Sequence, residues 1–160
     1  MKKYIGTKIV QAEPAKRYWL SDGRKIVVTE SEMLSQEILS LAESCDNGYK
    51  VVYAPDGYAS WSPKAVFEEA YRETNGMPFG LAIEAAKKGK KIARAGWNGK
   101  NQYVELAYCI SYKNNAAEVI NVNHCNIGNK ALAFVGTSGV QMGWLASQAD
   151  MLADDWHIVE

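Results

Sequence analysis

Apolar residues along this chain recur at two spacings, and the spacings divide it into strands and helices. Lys3 to Ala12 reads as a strand with Tyr4, Ile5, Ile9 and Val10 as its apolar members, ended by Pro14. A β-branched run, Arg24 to Thr29, follows the Asp22-Gly23 turn signal. From Glu30 to Ser44 the period lengthens. Met33, Leu34, Ile38, Leu41 and Ala42 fall on one helical face, with Thr29 or Ser31 as the cap and Asn47-Gly48 as the stop. Tyr49 to Ala54 and Tyr58 to Trp61 flank Pro55-Asp56-Gly57 as a hairpin, and Ser62-Pro63 opens a helix with a Val66, Phe67, Ala70, Tyr71 stripe. The aromatics Tyr49, Tyr53, Tyr58 and Trp61 fit a core or interface face first and a ligand platform second.

Glu73-Thr74-Asn75-Gly76-Met77-Pro78 is polar, carries Asn-Gly and ends in proline, so it reads as a linker. Beyond it Pro78 to Lys88 is a helix with Phe79, Ala82, Ile83 and Ala86 inward and Gly89 as its left-handed terminator. Lysines 87, 88, 90 and 91 match the negative end of that helix. Further strands are expected at Lys91 to Trp97, Gln102 to Tyr108, Ile110 to Tyr112, Glu118 to Asn123, Leu132 to Val135, Val140 to Leu145 and Trp156 to Val159. Ser147-Gln148-Ala149-Asp150 is a capping pattern that predicts a short helix from Gln148 to Ala153, and Asp154, Asp155 and Trp156 anchor the closing turn and strand. The fold class is therefore α+β: a small antiparallel sheet with few short helices in each of two units, 1–72 and 79–160, joined by a linker at 73–78.

One stretch carries the candidate chemistry, Ala93-Arg94-Ala95-Gly96-Trp97-Asn98-Gly99-Lys100. Asn98-Gly99 is a two-residue hairpin signal, because a type I′ turn needs φ > 0 at both central positions. Such a turn holds Arg94, Trp97 and Lys100 on one corner. An indole face, a guanidinium and an ammonium together suit a ligand with a flat ring and phosphates. The plainer alternative is a core indole beside two solvated cations.

Composition narrows the partners. Eighteen basic and eighteen acidic residues cancel over 160 residues, so a long polyanion such as DNA or RNA is a poor partner. A small anionic ligand needs only local cations. No apolar run approaches the ~20 residues that span a bilayer, and the start of the chain lacks a secretory leader's apolar segment, so a cytoplasmic protein with no membrane partner is expected. Cys45, Cys109 and Cys125 are odd in number with no C-x-x-C, and His124 and His157 are the only histidines. Neither a disulfide framework nor a metal site or other cofactor is expected.

Three segments then fall in a recognisable order: Pro78-Phe79-Gly80 leading to a Lys-Lys-Gly helix end, the Ala93 to Lys100 stretch, and Gly143-Trp144-Leu145-Ala146-Ser147-Gln148 continuing through Asp150-Met151-Leu152-Ala153 to Asp155-Trp156. Together they resemble the phage-encoded Thoeris anti-defence family of the second type, over Met77 to Glu160. That resemblance implies a non-catalytic sponge in the cytoplasm of the infected host. It would bind cyclic ADP-ribose-type signals made by bacterial TIR-domain proteins, glycocyclic ADP-ribose among them, and keep them from the effector. It also implies a homo-oligomer, usually a tetramer built as a dimer of dimers, with the signal between protomers. In some relatives a separate site holds the cyclic oligonucleotides of CBASS. Residues Lys3 to Arg72 resemble a phage accessory module, with Asp56-Gly57-Tyr58 and Ser60-Trp61-Ser62-Pro63 as its distinctive part and no assigned activity.

Each part of such a ligand asks for its own chemistry. The base wants a ring face, offered first by Trp97, then by Phe79, Tyr103 or Trp144, unless these are core packing. Pyrophosphate wants Arg94, Lys100 and the N–H groups of Asn98-Gly99, unless Arg94 is a structural ion pair. Ribose hydroxyls want Asp150 or Asn98, with Ser147 and Gln148 behind, unless Asp150 only caps its helix. Two other functions stay open: a hydrolase acting on the same signal, and an inhibitor that grips a host enzyme through the aromatic first unit.

Overall fold

Both halves of the chain build an antiparallel sheet and set short helices against it, so the protein is α+β. The structure, a computed structural model, describes residues 7–97, 99, 101–124 and 130–159. Two compact units divide it, Met1–Arg72 and Glu73–Glu160. Among the described residues no helix is long and apolar enough to cross a membrane.

The first unit contains β1 (Gln11–Leu20), β2 (Lys25–Thr29), α1 (Gln36–Ser40), β3 (Ala42–Tyr53), β4 (Tyr58–Pro63) and α2 (Lys64–Ala70), with sheet order β2-β1-β3-β4. The Asp22-Gly23 turn forms, with Gly23 at φ +85° and the Asp22 carboxylate accepting from the Arg24 N–H at 3.0 Å. The first strand is displaced from its expected place. Thr7 to Val10 take no regular structure, the earlier part of the expected strand lies outside the described residues, and β1 runs through Pro14. Proline is tolerated there because β2 pairs with β1 only from Ala15 onward, so at Pro14 the strand has one neighbour, β3.

The expected helix from Glu30 to Ser44 shrinks to α1, capped by Ser35 instead of Thr29 or Ser31. Its last three residues, Ala42 to Ser44, join β3, which pairs with β1 from Leu20↔Ala42 to Gln11↔Val52. A ladder of that length outweighs a local helical period, and Met33 of the supposed stripe is almost fully exposed. Asn47-Gly48 does not stop the chain either, because Gly48 sits mid-strand between Ala15 and Pro63. Glycine is required there by close approach: a Cβ would collide with the Ser62 carbonyl oxygen and come within 2.8 Å of the Trp61 ring. Gly48→Ala is expected to destabilise this unit by about 1–3 kcal/mol. A urea titration followed by far-UV circular dichroism checks it, and an unshifted midpoint would contradict it. Helix α2 begins one residue later than expected, with Pro63 rather than Ser62 at its cap. Phe67 stacks between Tyr49 and Tyr71, with centroids at 4.2 and 4.8 Å.

The second unit contains α3 (Phe79–Lys87), β5 (Lys91–Arg94), β6 (Tyr103–Tyr108), β7 (Tyr112–Lys113), β8 (Val119–Ile120), β9 (Lys130–Gly136), β10 (Gly139–Met142), α4 (Gln148–Met151) and β11 (Trp156–Val159). Its main sheet runs β10-β9-β6-β5-β11, with β7 and β8 as a separate pair. Helix α3 buries Ala82, Ala85 and Ala86 against Ile92, Val104 and Trp156, and Met77 closes the cluster. Gly89, at φ +81°, ends the helix as expected: its N–H reaches the Ala86 carbonyl and the Lys90 N–H reaches that of Ala85. The expected linker is partly built into this unit. Met77 and Trp156 exchange backbone hydrogen bonds of 2.8 and 3.1 Å, and Ile158 donates to the Thr74 carbonyl at 2.9 Å. Backbone pairing does this work, which a polar composition does not reveal.

Asn98 of the expected Asn98-Gly99 hairpin turn lies outside the described residues. Strands β5 and β6 share one registered pair, Ile92↔Val104, and residues 95–102 connect them. Strand β5 stops at Arg94 because the chain turns toward β11. Ala95 donates to the Asp155 carbonyl at 3.1 Å, Gly96 donates to the Asp155 carboxylate at 2.9 Å, and Trp97 turns back to the Arg94 carbonyl. Strand β10 ends early for a similar reason. Gly143, at φ +76°, and Trp144 both donate to the Leu132 carbonyl, which turns the Trp144 ring back over the sheet.

Candidate functional site

Four tryptophan and phenylalanine rings gather at one end of the second unit's core. Trp156 is fully buried. Trp97 meets it edge to face at 5.4 Å, meets Phe134 at 5.4 Å and Trp144 at 6.0 Å. Perpendicular packing of this kind is the favoured geometry for aromatic quadrupoles. Trp97, Phe134 and Trp144, with Gly99, Gln102 and Asp150, line an open concavity of about 280 Å³.

A charged network lies behind the rings. Arg94 donates through Nε to Asp155 Oδ1 at 2.8 Å and through Nη1 to Asp150 Oδ1 at 2.9 Å, with a longer Nη2 contact to Asp155 Oδ2. Trp97 Nε1 makes a long 3.4 Å contact to the same Asp150 oxygen. The other Asp150 oxygen accepts from the Ser147 N–H at 3.0 Å and the Ser147 hydroxyl at 2.7 Å. The Asp150 N–H returns a bond to that hydroxyl, completing the expected capping box at the start of α4. Trp156 Nε1 donates to the Asp150 carbonyl at 2.9 Å. One aspartate thus ties together a helix cap, an arginine and two indoles.

The electrostatics follow from these contacts. The Asp155 carboxyl is held below its usual range, chiefly by Arg94, against the opposing effect of burial. For Asp150 burial is the largest influence and pushes the carboxyl up, but the bonds from Ser147, Arg94 and Trp97 together outweigh it and the net shift is downward. The Arg94 guanidinium is raised by Asp155 first and Asp150 second. Two carboxylates face one guanidinium, so the cluster carries a net negative charge.

This arrangement sorts the expected ligand groups. Trp97, Gly99, Trp144 and Asp150 meet at the concavity. Ser147 stands behind it, bonded to Asp150. Phe79 does not reach it, because its ring packs on Trp156 at 5.4 Å at the margin of the core. Tyr103 does not reach it either. Its neighbour Val104 points into the core, so Tyr103 lies on the opposite sheet face, under Lys91 Nζ at 4.6 Å. Asn98 and Lys100 lie outside the described residues. Arg94 is engaged by two carboxylates, Asp150 and Asp155. Asp150 accepts four contacts from Arg94, Trp97 and Ser147, the one from Trp97 long. Two lining residues, Gln102 and Phe134, were not expected. Phe134 shows only as one alternating apolar position, and nothing local marks Gln102.

A family model, the Thoeris anti-defense 2-like domain, matches residues 77–159. The chain belongs to that family. A curated relative, Thoeris anti-defense 2 from Bacillus phage SP01, is 38% identical over 88 residues, which covers 52% of this chain and 94% of that protein. The match begins at Met77, where the backbone first pairs with Trp156, and the Thoeris anti-defence domain therefore contains the whole ring cluster and its charged backing. A larger concavity, about 650 Å³, lies in the first unit between Lys16, Tyr18, Leu39, Tyr49 and Lys64. It falls outside the matched segment.

Proposed function

We propose that this protein is a phage anti-defence sponge. It binds a cyclic ADP-ribose-type signal, glycocyclic ADP-ribose or a close isomer, in the cytoplasm of the infected host and holds it intact, so that the Thoeris effector is not activated. The observation that carries this reading is the aromatic concavity of Trp97, Phe134 and Trp144 inside the family-matched segment. A base stacked on such rings gains roughly 1–3 kcal/mol.

The charged groups support binding without turnover. A general acid or base works best with a pKa near the working pH. Asp150 and Asp155 are shifted the other way, and their oxygens are occupied by structural donors. The size of the concavity supports an oligomer. It is open on one side and of about 280 Å³, room for the base, and a second copy supplies the remaining wall. The net negative charge behind the rings turns the pyrophosphate toward that second wall.

The test is calorimetry of the full chain with cyclic ADP-ribose isomers and the cyclic oligonucleotides of CBASS, followed by mass spectrometry of the ligand released on heating. Recovery of unaltered cyclic ligand is expected, while linear ADP-ribose or AMP would establish a hydrolase instead. Trp144→Ala is expected to weaken binding about 5–100-fold with the fold retained. Unchanged affinity in that variant would remove the concavity from the site.

A further inference from the structure

Of the two polar side chains that line the concavity among the described residues, Asp150 is engaged by Ser147, Arg94 and Trp97. The other is Gln102. Its amide lies against the backbone of Gly99, in the space that a Cβ on Gly99 would take, because all three amide heavy atoms overlap that position. Gly99 thus serves as a flat seat that sets the amide at the rim of the ring cluster.

We propose that Gln102, seated on Gly99, is the base-selecting residue of the anti-defence domain and makes it specific for adenine over guanine. This rests on the sequestration reading. A primary amide presents an acceptor and a donor side by side. Adenine's N6 amino group and N7 offer the complementary donor and acceptor along one edge, so both amide atoms are satisfied together. Guanine offers two acceptors there, O6 and N7, which leaves the amide oxygen facing another oxygen. Rings select a flat base without regard to its identity. The amide is the described group at the concavity that tells one purine from the other.

The experiment measures the affinity of the full chain for cyclic ADP-ribose isomers and for the guanine counterpart of each. Wild type is expected to prefer adenine at least about tenfold. Gln102→Leu should bring that ratio to within about threefold of unity. Gln102→Met, which keeps the length but loses both donor and acceptor, should lower it also, and Gly99→Ala should do the same by displacing the amide. Trp144→Ala should weaken both ligands alike and leave the ratio standing. Near-UV circular dichroism verifies each fold, and the unbranched methionine variant keeps the test valid if the leucine variant does not fold. A wild type without preference, or a ratio unchanged in Gln102→Met, overturns the assignment while leaving sequestration intact. A wild type that retains none of these ligands overturns sequestration itself, and the assignment with it.

Discussion

Trp156→Ala is expected to cost the second unit about 3–5 kcal/mol, the range for deleting a buried tryptophan. That is a large share of the roughly 5–15 kcal/mol available to a domain. The side chain is fully buried and its removal is felt in three directions. Phe79, Trp97 and Trp144 lose the ring they pack against. The Asp150 carbonyl loses its indole donor. The cavity also lies beneath the bridge to Met77 and beside Arg94, the registered partner of Trp156, so relaxation there strains the start of the unit and the end of β5. The melting temperature of this unit should fall by more than about 10 °C, at 4–8 °C per kcal/mol for a unit of this size. Trp156→Phe keeps an aromatic body but leaves the carbonyl unpaired, and should cost about 1–3 kcal/mol. Near-UV circular dichroism follows the melt because it reports the packed indoles. An alanine variant that melts with wild type would show that the ring cluster is not the core of this unit.

What could be read from the chain depended on how far apart the interacting residues lie. The end of α3 at Gly89 and the Ser147 to Asp150 capping box are local devices, complete within a few residues, and both form as their patterns imply. The antiparallel α+β class follows from alternating runs broken by turn residues, and the Asp22-Gly23 turn is likewise self-contained. The failures all involve a distant partner overriding a local preference. The strand expected to run from Lys91 to Trp97 is one case: it ends at Arg94, because Asp155, 59 residues from Gly96, takes the Gly96 N–H and sends the chain toward β11. The Asn47-Gly48 turn signal is another, because β1 and β4 flank it and Trp61 fills the space that its missing side chain leaves. At the candidate site the residue types were legible and their assignments were not. An arginine and an aspartate 56 residues apart suit a ligand as well as they suit each other, and only the fold shows that they have met.

Arg94→Ala is the second large effect expected, about 2–4 kcal/mol at neutral pH. Breaking a buried pair costs about 3–5 kcal/mol because it strands the remaining charge. The figure here is lower because the Arg94 side chain is 19% exposed and that of Asp155 34%. Asp150 and Asp155 would be left without the cation that lies between them. Arg94→Lys should recover only part of the loss, since one ammonium cannot reproduce the forked donation to two carboxylates. The dependence on pH separates this account from a packing effect. Both aspartates are shifted below their unfolded values. Their contribution is therefore fully present above about pH 4 and is lost as pH falls through the lower folded values. Wild type and Arg94→Ala should differ most near pH 7 and converge below about pH 4, where protonation empties the network in both. Urea denaturation at a series of pH values measures the difference directly, and a constant gap down to pH 3 would mean that Arg94 stabilises through its methylenes rather than its charge. The same series bears on function. If the network's task is to hold Trp97 at the concavity, ligand affinity in Arg94→Lys should track the near-UV signal of the indoles; if Arg94 instead contacted phosphate, affinity would fall while that signal stayed constant.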